Sequence, residues 1–383
     1  MFKATLSEQL ASKAQKVKVE EKKEPKKVDE PASVRPSAKG KRRACIPICI
    51  LYEDEERTAD LIRALDAAGA PEIHKWMVTA GTLDLKNPPR KDMLYFSRLS
   101  ASASTRKHEA AIAYGEHVLQ WLEFHGCRVI NGASAFSLEI SKVRQYLALA
   151  EAGLTFPDTL LIASQSQIAP SVTTWVRSTK PPIFYLKPVT GGSGDGVRRY
   201  TALSEFTRDF LDRRSKKSMR GPGSIFIAQK GEEEHETWYD KLKPSKIKGE
   251  KKVFYRAEFV DRRFLYCLRV STPVTVNSSC PCDAPTRFDT NFSVVLDPAS
   301  HFEDPEGWPV FQANCVDFMV KHGMHVGAFE FSRPEPSKIY QIYDVNVNTN
   351  YSDHAEKKIP YDQRGMAKQA EMLIKLSCEK WEK

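Results

Sequence analysis

Lys187 lies on the apolar run PPIFYLKPV, and Gly191, Gly192, Ser193, Gly194, Gly196 and Val197 follow it. Glycines let backbone N–H groups approach phosphate oxygens, and a lysine beside them neutralises phosphate charge. The spacing is not that of a P-loop, whose lysine follows the glycines, nor of a dinucleotide fingerprint, which opens a helix. Taken alone, the run fits a flexible hairpin tip equally well. Further along, Glu330 lies in VGAFEFS, and Asp344, Asn346 and Asn348 alternate in YDVNVNTN. Period-two spacing puts the last three on one strand face, where hard oxygen donors could hold Mg2+ beside a nucleotide. An edge strand with a wetted polar face gives the same pattern. Arg98, Ser100, Ser102, Ser104, Arg106 and His108 crowd YFSRLSASASTRKH. Guanidinium groups beside hydroxyls suit carboxylate recognition; a capped helix start with solvated arginines is the competing explanation.

The elements that would position these groups follow from periodicity. Residues 45–53 form an apolar run suited to a strand buried on both faces, and 56–69 an amphipathic helix ending in glycine, a βα start. A short strand at 93–96, a helix over 109–125 and a strand at CRVIN complete a small open α/β domain. Residues 137–152 have helical periodicity throughout. PDTLLIA, PPIFYLKPV and IFIAQKG read as strands, with the glycine run as a hairpin. GEEEHETWYDKLKPSKIKGEKK is so charged that it reads as a mobile excursion. FYRAEFV, FLYCLRVST, NFSVVLD, MHVGAFEFSR and IYQIYDVNVNTN read as strands, and 311–322 and 363–381 as helices. The fold class is mixed, α/β and α+β, with divisions at 1–43, 44–132, 133–230 and 231–383.

Composition narrows the function. The chain has 383 residues, enough for two or three packed units, and a net charge of +9. Residues 1–43 hold 13 Lys and Arg against 6 Asp and Glu, or +7 of that charge, so the body is nearly neutral and no nucleic acid is expected to bind it. The tail cannot bury enough apolar surface to order itself. No run reaches the ~18 apolar residues of a membrane helix, so a cytoplasmic protein is expected. Reduced thiols are the default for 8 scattered cysteines, and Cys280 and Cys282, flanking a proline, lack zinc-ligand spacing.

In chain order, Lys142 at a helix start, Lys187 with its glycine hairpin, an apolar strand ending at Gln229, then Glu330 and Asp344-Val345-Asn346 resemble the ATP-grasp ligases, including glutathione synthetase and D-alanine–D-alanine ligase. The resemblance spans residues 130–375. It implies a pre-ATP-grasp α/β domain followed by two lobes that clasp ATP. Lys142 and Lys187 would bind phosphates beneath the 191–197 hairpin, and Gln229, Lys230 and Gly231 would border the adenine. Glu330, Asp344 and Asn346 would hold Mg2+, or Mn2+ in its place. Arg256 and Arg269 fall where the glutathione-synthetase pattern has arginines; Arg269 is assigned to the transferred phosphate or the tetrahedral intermediate, Arg256 to substrate, and both equally fit surface salt bridges. Arg98, Ser100, Ser102 and Arg106 would meet substrate. The implied reaction joins a small carboxylate to an amine, an amino acid or short peptide, through an acyl phosphate. The implied rivals are a kinase-like phosphotransferase and an ATP-binding scaffold without turnover. Ala328 stands where D-alanine ligases carry an arginine, and NTNYSDHAEKK departs from the family's loop. A monomer and a homodimer fit equally.

Overall fold

The run Ile48–Tyr52 (β1) has every side chain buried, as a central parallel strand requires. It belongs to a computed structural model that describes residues 45–192, 196–211, 225–231, 234–240, 243–273, 291–351 and 353–380. The 1–43 tail, Ser193, Gly194, Cys280 and Cys282 lie outside the described residues. After β1, Asp54 caps helix α1 (Glu55–Ala67) by accepting the Arg57 N–H. Strands β2 (Ile73–Met77) and β3 (Leu94–Ser97) follow, then a 3-10 turn (Ala101–Arg106), helix α2 (Glu109–Phe124) and β4 (Arg128–Ile130). The sheet order is β2-β1-β3-β4, with every pairing parallel. β2 escapes a periodicity reading because its side chains are at most half-buried.

The helix expected over 137–152 is two helices, α3 (Ala133–Glu139) and α4 (Lys142–Glu151). The break has a local cause: Ser141 takes an extended conformation and its hydroxyl accepts the Arg144 N–H, starting a new helix at Lys142. A four-stranded antiparallel sheet comes next, ordered β5-β8-β6-β7. It is built from β5 (Thr159–Ile162), β6 (Ile183–Pro188), β7 (Arg198–Tyr200) and β8 (Phe226–Gly231). Helices α5 (Gln165–Thr179) and α6 (Leu203–Leu211) pack Ile168, Val172 and Phe206 against one face of this sheet. On β6, Phe184, Leu186 and Pro188 are buried, while Ile183, Tyr185 and Lys187 on the other face are half-exposed.

The charged segment expected to be an excursion is instead β-structure: β9 (Glu234–Asp240) pairs antiparallel with the start of β10 (Lys243–Val260). β10 then enters a sheet ordered β12-β11-β10-β13-β14, with β11 (Arg263–Pro273), β12 (Asn291–Val295), β13 (Val326–Ser332) and β14 (Gln341–Asn346). Helices α7 (Pro298–His301) and α8 (Gly307–Lys321) lie between β12 and β13, α9 (Asp353–Glu356) follows β14, and α10 (Gly365–Cys378) ends the fold. One apolar cluster combines Tyr255, Ala257, Phe259, Phe329 and Phe331 with α4 and α8. A second joins Val260, Tyr266, Leu268 and Val326 to β1, α1 and α10, so Ala44–Lys383 form one compact unit.

One expectation about thiols is overturned. Ile46 N donates to Ser377 O, and this pairing brings Cys45 and Cys378 into a disulfide. Cys49, Cys127, Cys267 and Cys315 are buried thiols, and that of Cys127 donates to Arg90 O at 3.7 Å.

Candidate nucleotide and ligation site

The site is a cleft between the half-exposed faces of two sheets. β6 contributes Tyr185 and Lys187, and β10 contributes Lys252, Phe254 and Arg256, which alternate with buried Val253, Tyr255 and Ala257. β13 and β14 close the far side. Glu330 pairs directly across from Asp344, and Ala328 from Asn346, so the two carboxylates and the amide share one face. Helix α4 supplies Lys142, whose ammonium donates to Asp344 Oδ1. Asn346 Nδ2 donates to Glu330 Oε1 at 3.2 Å. Burial and the neighbouring Asp344 carboxylate both push the Glu330 pKa up.

Lys187 donates to Gln229 Oε1 at 2.6 Å. Gln229 is itself buried, and its amide donates to Tyr146 Oη at 2.9 Å and Thr159 Oγ1 at 3.0 Å. The glutamine is thus fixed in one orientation and aims the lysine. Burial lowers the Lys187 pKa to about 7, with Lys142 and Lys252 adding to the effect and Asp344 and Glu330 opposing it. Three ammonium groups gathered beside two crowded carboxylates form a charged cluster that a polyanion with its own cation would neutralise.

β6 and β7 pair antiparallel on either side of the glycine run, in which Gly191 stands at φ +137° and Gly196 at φ +70°. A Cβ on Gly192 would stand 2.7 Å from the Ser102 backbone nitrogen, so this residue must be glycine for the hairpin to meet the loop after β3. Val197 leads into β7, Gly231 ends β8 opposite Ile183, and Lys230 N donates to Asp158 O at 2.8 Å.

No family model matches the chain, and no curated protein matches it by sequence. Solved structures do match. D-cycloserine synthetase DcsG superposes with a TM-score of 0.57 at 15% identity, covering 86% of this chain and 99% of that one. D-alanine–D-alanine ligase from Bacillus anthracis, complexed with ATP, gives 0.55 at 11% identity, covering 87% and 97%. The ATP-grasp ligase PsnB, complexed with minimal precursor, Mg and ADP, gives 0.54 at 14% identity, covering 86% and 97%. The fold is that of the ATP-grasp ligases.

Within this ATP-grasp frame, one residue assigned from the sequence is not brought to the cleft. Arg269 pairs with Tyr255, so it projects from the face of β11 that packs toward His301, whose pKa it helps lower after burial. Arg256, which pairs with Glu330, occupies the cleft face instead. Its Nη1 lies 3.7 Å from Glu330 Oε1 and its Nε 2.8 Å from Glu258 Oε1, while Nη2 donates to Thr349 Oγ1. Thr349 in turn donates to Glu258 Oε2 at 2.9 Å. Burial raises the Glu258 pKa to about 7, against the pull of Arg256 and Thr349.

The loop after β3 is more self-contained than its composition suggests. Arg98 is buried, and its Nη1 donates to Thr349 O while its Nη2 donates to Arg57 O and Asn350 Oδ1. Asn348, past the end of β14, donates its amide to Arg98 O at 2.6 Å. Arg106 is held by Glu53, Asp54 and Ser102, and His108 Nδ1 lies 2.9 Å from Glu53 Oε2. Ser100 caps the 3-10 turn and donates to Glu139 Oε1 at 3.1 Å. Buried Glu139 also accepts the Val347 and Ala101 N–H groups, tying this loop to the end of β14.

Sequence reasoning missed Glu53, Glu139, Tyr185, Lys252, Glu258, Tyr343 and Thr349. For Tyr185 and Lys252 a signal existed: each shares strand parity with a residue already chosen, Lys187 and Arg256. The donor set fits a hard divalent cation, since paired carboxylates plus an amide are oxygen donors and Glu330 resists ionising beside Asp344.

Proposed function

We propose that the chain is an ATP-dependent, ADP-forming carboxylate–amine ligase that makes an amide bond through an acyl phosphate. The observation that carries this reading is the convergence of Lys142, Lys187 and Arg256 on the paired carboxylates Glu330 and Asp344 within the cleft of an ATP-grasp fold. The neighbours DcsG, D-alanine–D-alanine ligase and PsnB are named as a synthetase and ligases, which supports the class of reaction. The segments proposed to do this are 44–132 on the substrate side, with 133–230 and 231–383 clasping ATP.

Lys187 and Lys142 bind the phosphates, with Gln229 orienting Lys187 and the backbone at Gly191, Gly192 and Gly196 beside them. The Gln229–Gly231 edge borders the adenine. Glu330, Asp344 and Asn346 would hold Mg2+, which when bound offsets phosphate charge. A carboxylate oxygen of the substrate attacks the γ-phosphorus, the bond to the ADP oxygen breaks, and an acyl phosphate forms. An amine then attacks the acyl carbon, phosphate leaves with the bonding pair, and the amine proton passes to solvent. Arg256, placed on the cleft face where Arg269 is not, stabilises the tetrahedral oxyanion. The substrates are amino acids or a short peptide, bound near Ser100 and Ser102, while Arg98 and Arg106 brace that loop.

The test is an ADP-release screen over pairs of amino acids and dipeptides, with mass spectrometry of the products. The reading expects one amide formed per ADP. ADP accompanied by a phosphorylated product and no amide would replace it with a phosphotransferase.

A further inference from the structure

From the geometry of the cleft we propose that Lys252, carried by β10, is a third nucleotide-phosphate ligand beside Lys187. This inference rests on the nucleotide site proposed above and adds a residue that neither glycine spacing nor metal-ligand spacing marks.

Lys252 precedes Arg256 by four positions on one strand, so the two side chains leave the same face of β10. It bridges the cleft: its ammonium donates to the Tyr185 hydroxyl of β6 at 2.8 Å. Tyr185 stands two residues before Lys187 and therefore on Lys187's face. Both ammonium groups lie over the same two rings. Lys187 Nζ is 5.2 Å from the Tyr185 centroid and 5.7 Å from that of Tyr343, and Lys252 Nζ is 4.9 Å and 5.9 Å from them. Aromatic faces accept cations, and two cations sharing them form a preorganised anion receptor at modest cost. The fold thus holds Lys252 and Lys187 together despite their repulsion, which is felt at Lys187 as a loss of proton affinity. A triphosphate between them converts that repulsion into attraction, and the Tyr185 hydroxyl parks Lys252 until it arrives.

The experiment uses the full chain. Lysines are acetylated with limiting acetic anhydride, with and without a saturating non-hydrolysable Mg-ATP analogue, and each site is quantified by mass spectrometry. Alongside, Mg-ATP affinity is measured for Lys252→Met, Lys252→Arg and Lys187→Met. The proposal expects protection of both Lys187 and Lys252, affinity about tenfold or more weaker in Lys252→Met, and recovery to within about threefold in Lys252→Arg, since a second cation serves the same phosphate. Protection of Lys187 alone, or unchanged affinity in Lys252→Met while Lys187→Met is impaired, overturns it and leaves the nucleotide site standing. Protection of neither lysine, with both Met variants binding as the parent does, overturns the nucleotide site itself.

Discussion

Nucleotide binding should take up a proton at Lys187, and the amount can be worked from the site. In the free protein the ammonium titrates near 7, well below the ordinary lysine value of 10.5, because it is buried and faces Lys142 and Lys252. At pH 8 about nine-tenths of the free protein therefore carries neutral lysine. A bound triphosphate supplies the missing negative charge and restores the ammonium. Binding at pH 8 should then absorb about 0.9 proton at Lys187. The direction is fixed: affinity is greatest below pH 7 and falls by about tenfold for each pH unit between roughly 7.5 and 10. Restoring a gap of about 3.5 pH units corresponds to roughly 5 kcal/mol of coupling, an upper bound because the lysine keeps some contact with solvent. The assay is calorimetry of Mg-ATP analogue binding at pH 8 in Tris and in HEPES, whose ionisation enthalpies differ. A binding enthalpy independent of buffer, or proton uptake that survives Lys187→Met, refutes the reasoning.

Replacing Glu330 with Gln or Asp344 with Asn should cut Mg2+-dependent turnover at least about 100-fold while melting temperature stays within a few degrees; full activity in both would remove the metal assignment. Gly192→Ala places a methyl 2.7 Å from the Ser102 nitrogen, so hairpin seating should fail and KM for substrate should rise, whereas an unchanged KM would show that the contact is not part of turnover. Glu258→Gln removes the charge that holds Arg256 by its Nε and should lower kcat about tenfold with little change in KM for ATP; a parallel loss in both would point to a general structural fault. Reducing Cys45–Cys378, which spans 333 residues, should cost stability by about 2–5 kcal/mol, read as a lower denaturant midpoint. An identical midpoint with and without reductant would mean the bridge is not formed in solution.

The βα start and the late strands were legible because their patterns are unambiguous: Ile48–Tyr52 is wholly buried, and Glu330 and Asp344 interrupt apolar runs. Lys187, Glu330 and Asp344 stood out by their places in apolar strands, and Lys142 entered through the resemblance to the ATP-grasp ligases. The role of Arg269 could not be read in this way, because a strand's face is set by cross-strand register, and a shift of one residue sends a side chain to the opposite side. Its register partner Tyr255 becomes known only once β10 and β11 pair. The break at Ser141 was hidden by good helix formers on both sides, and only the capping hydroxyl bond reveals it. Charge made GEEEHETWYDKLKPSKIKGEKK read as a mobile excursion, yet within it Glu234–Asp240 pairs with the long strand Lys243–Val260, and that pairing overrides composition. The disulfide lay beyond reach, since eight cysteines leave many pairings open.

The most direct test is a crystal structure of the full chain with Mg2+ and a non-hydrolysable ATP analogue. The triphosphate should lie between the Lys142 and Lys187 ammonium groups on one side and the Glu330 and Asp344 carboxylates on the other, with the cation bridging phosphate to carboxylate. A nucleotide bound elsewhere, or a cleft that stays empty at saturating ligand, would contradict the account.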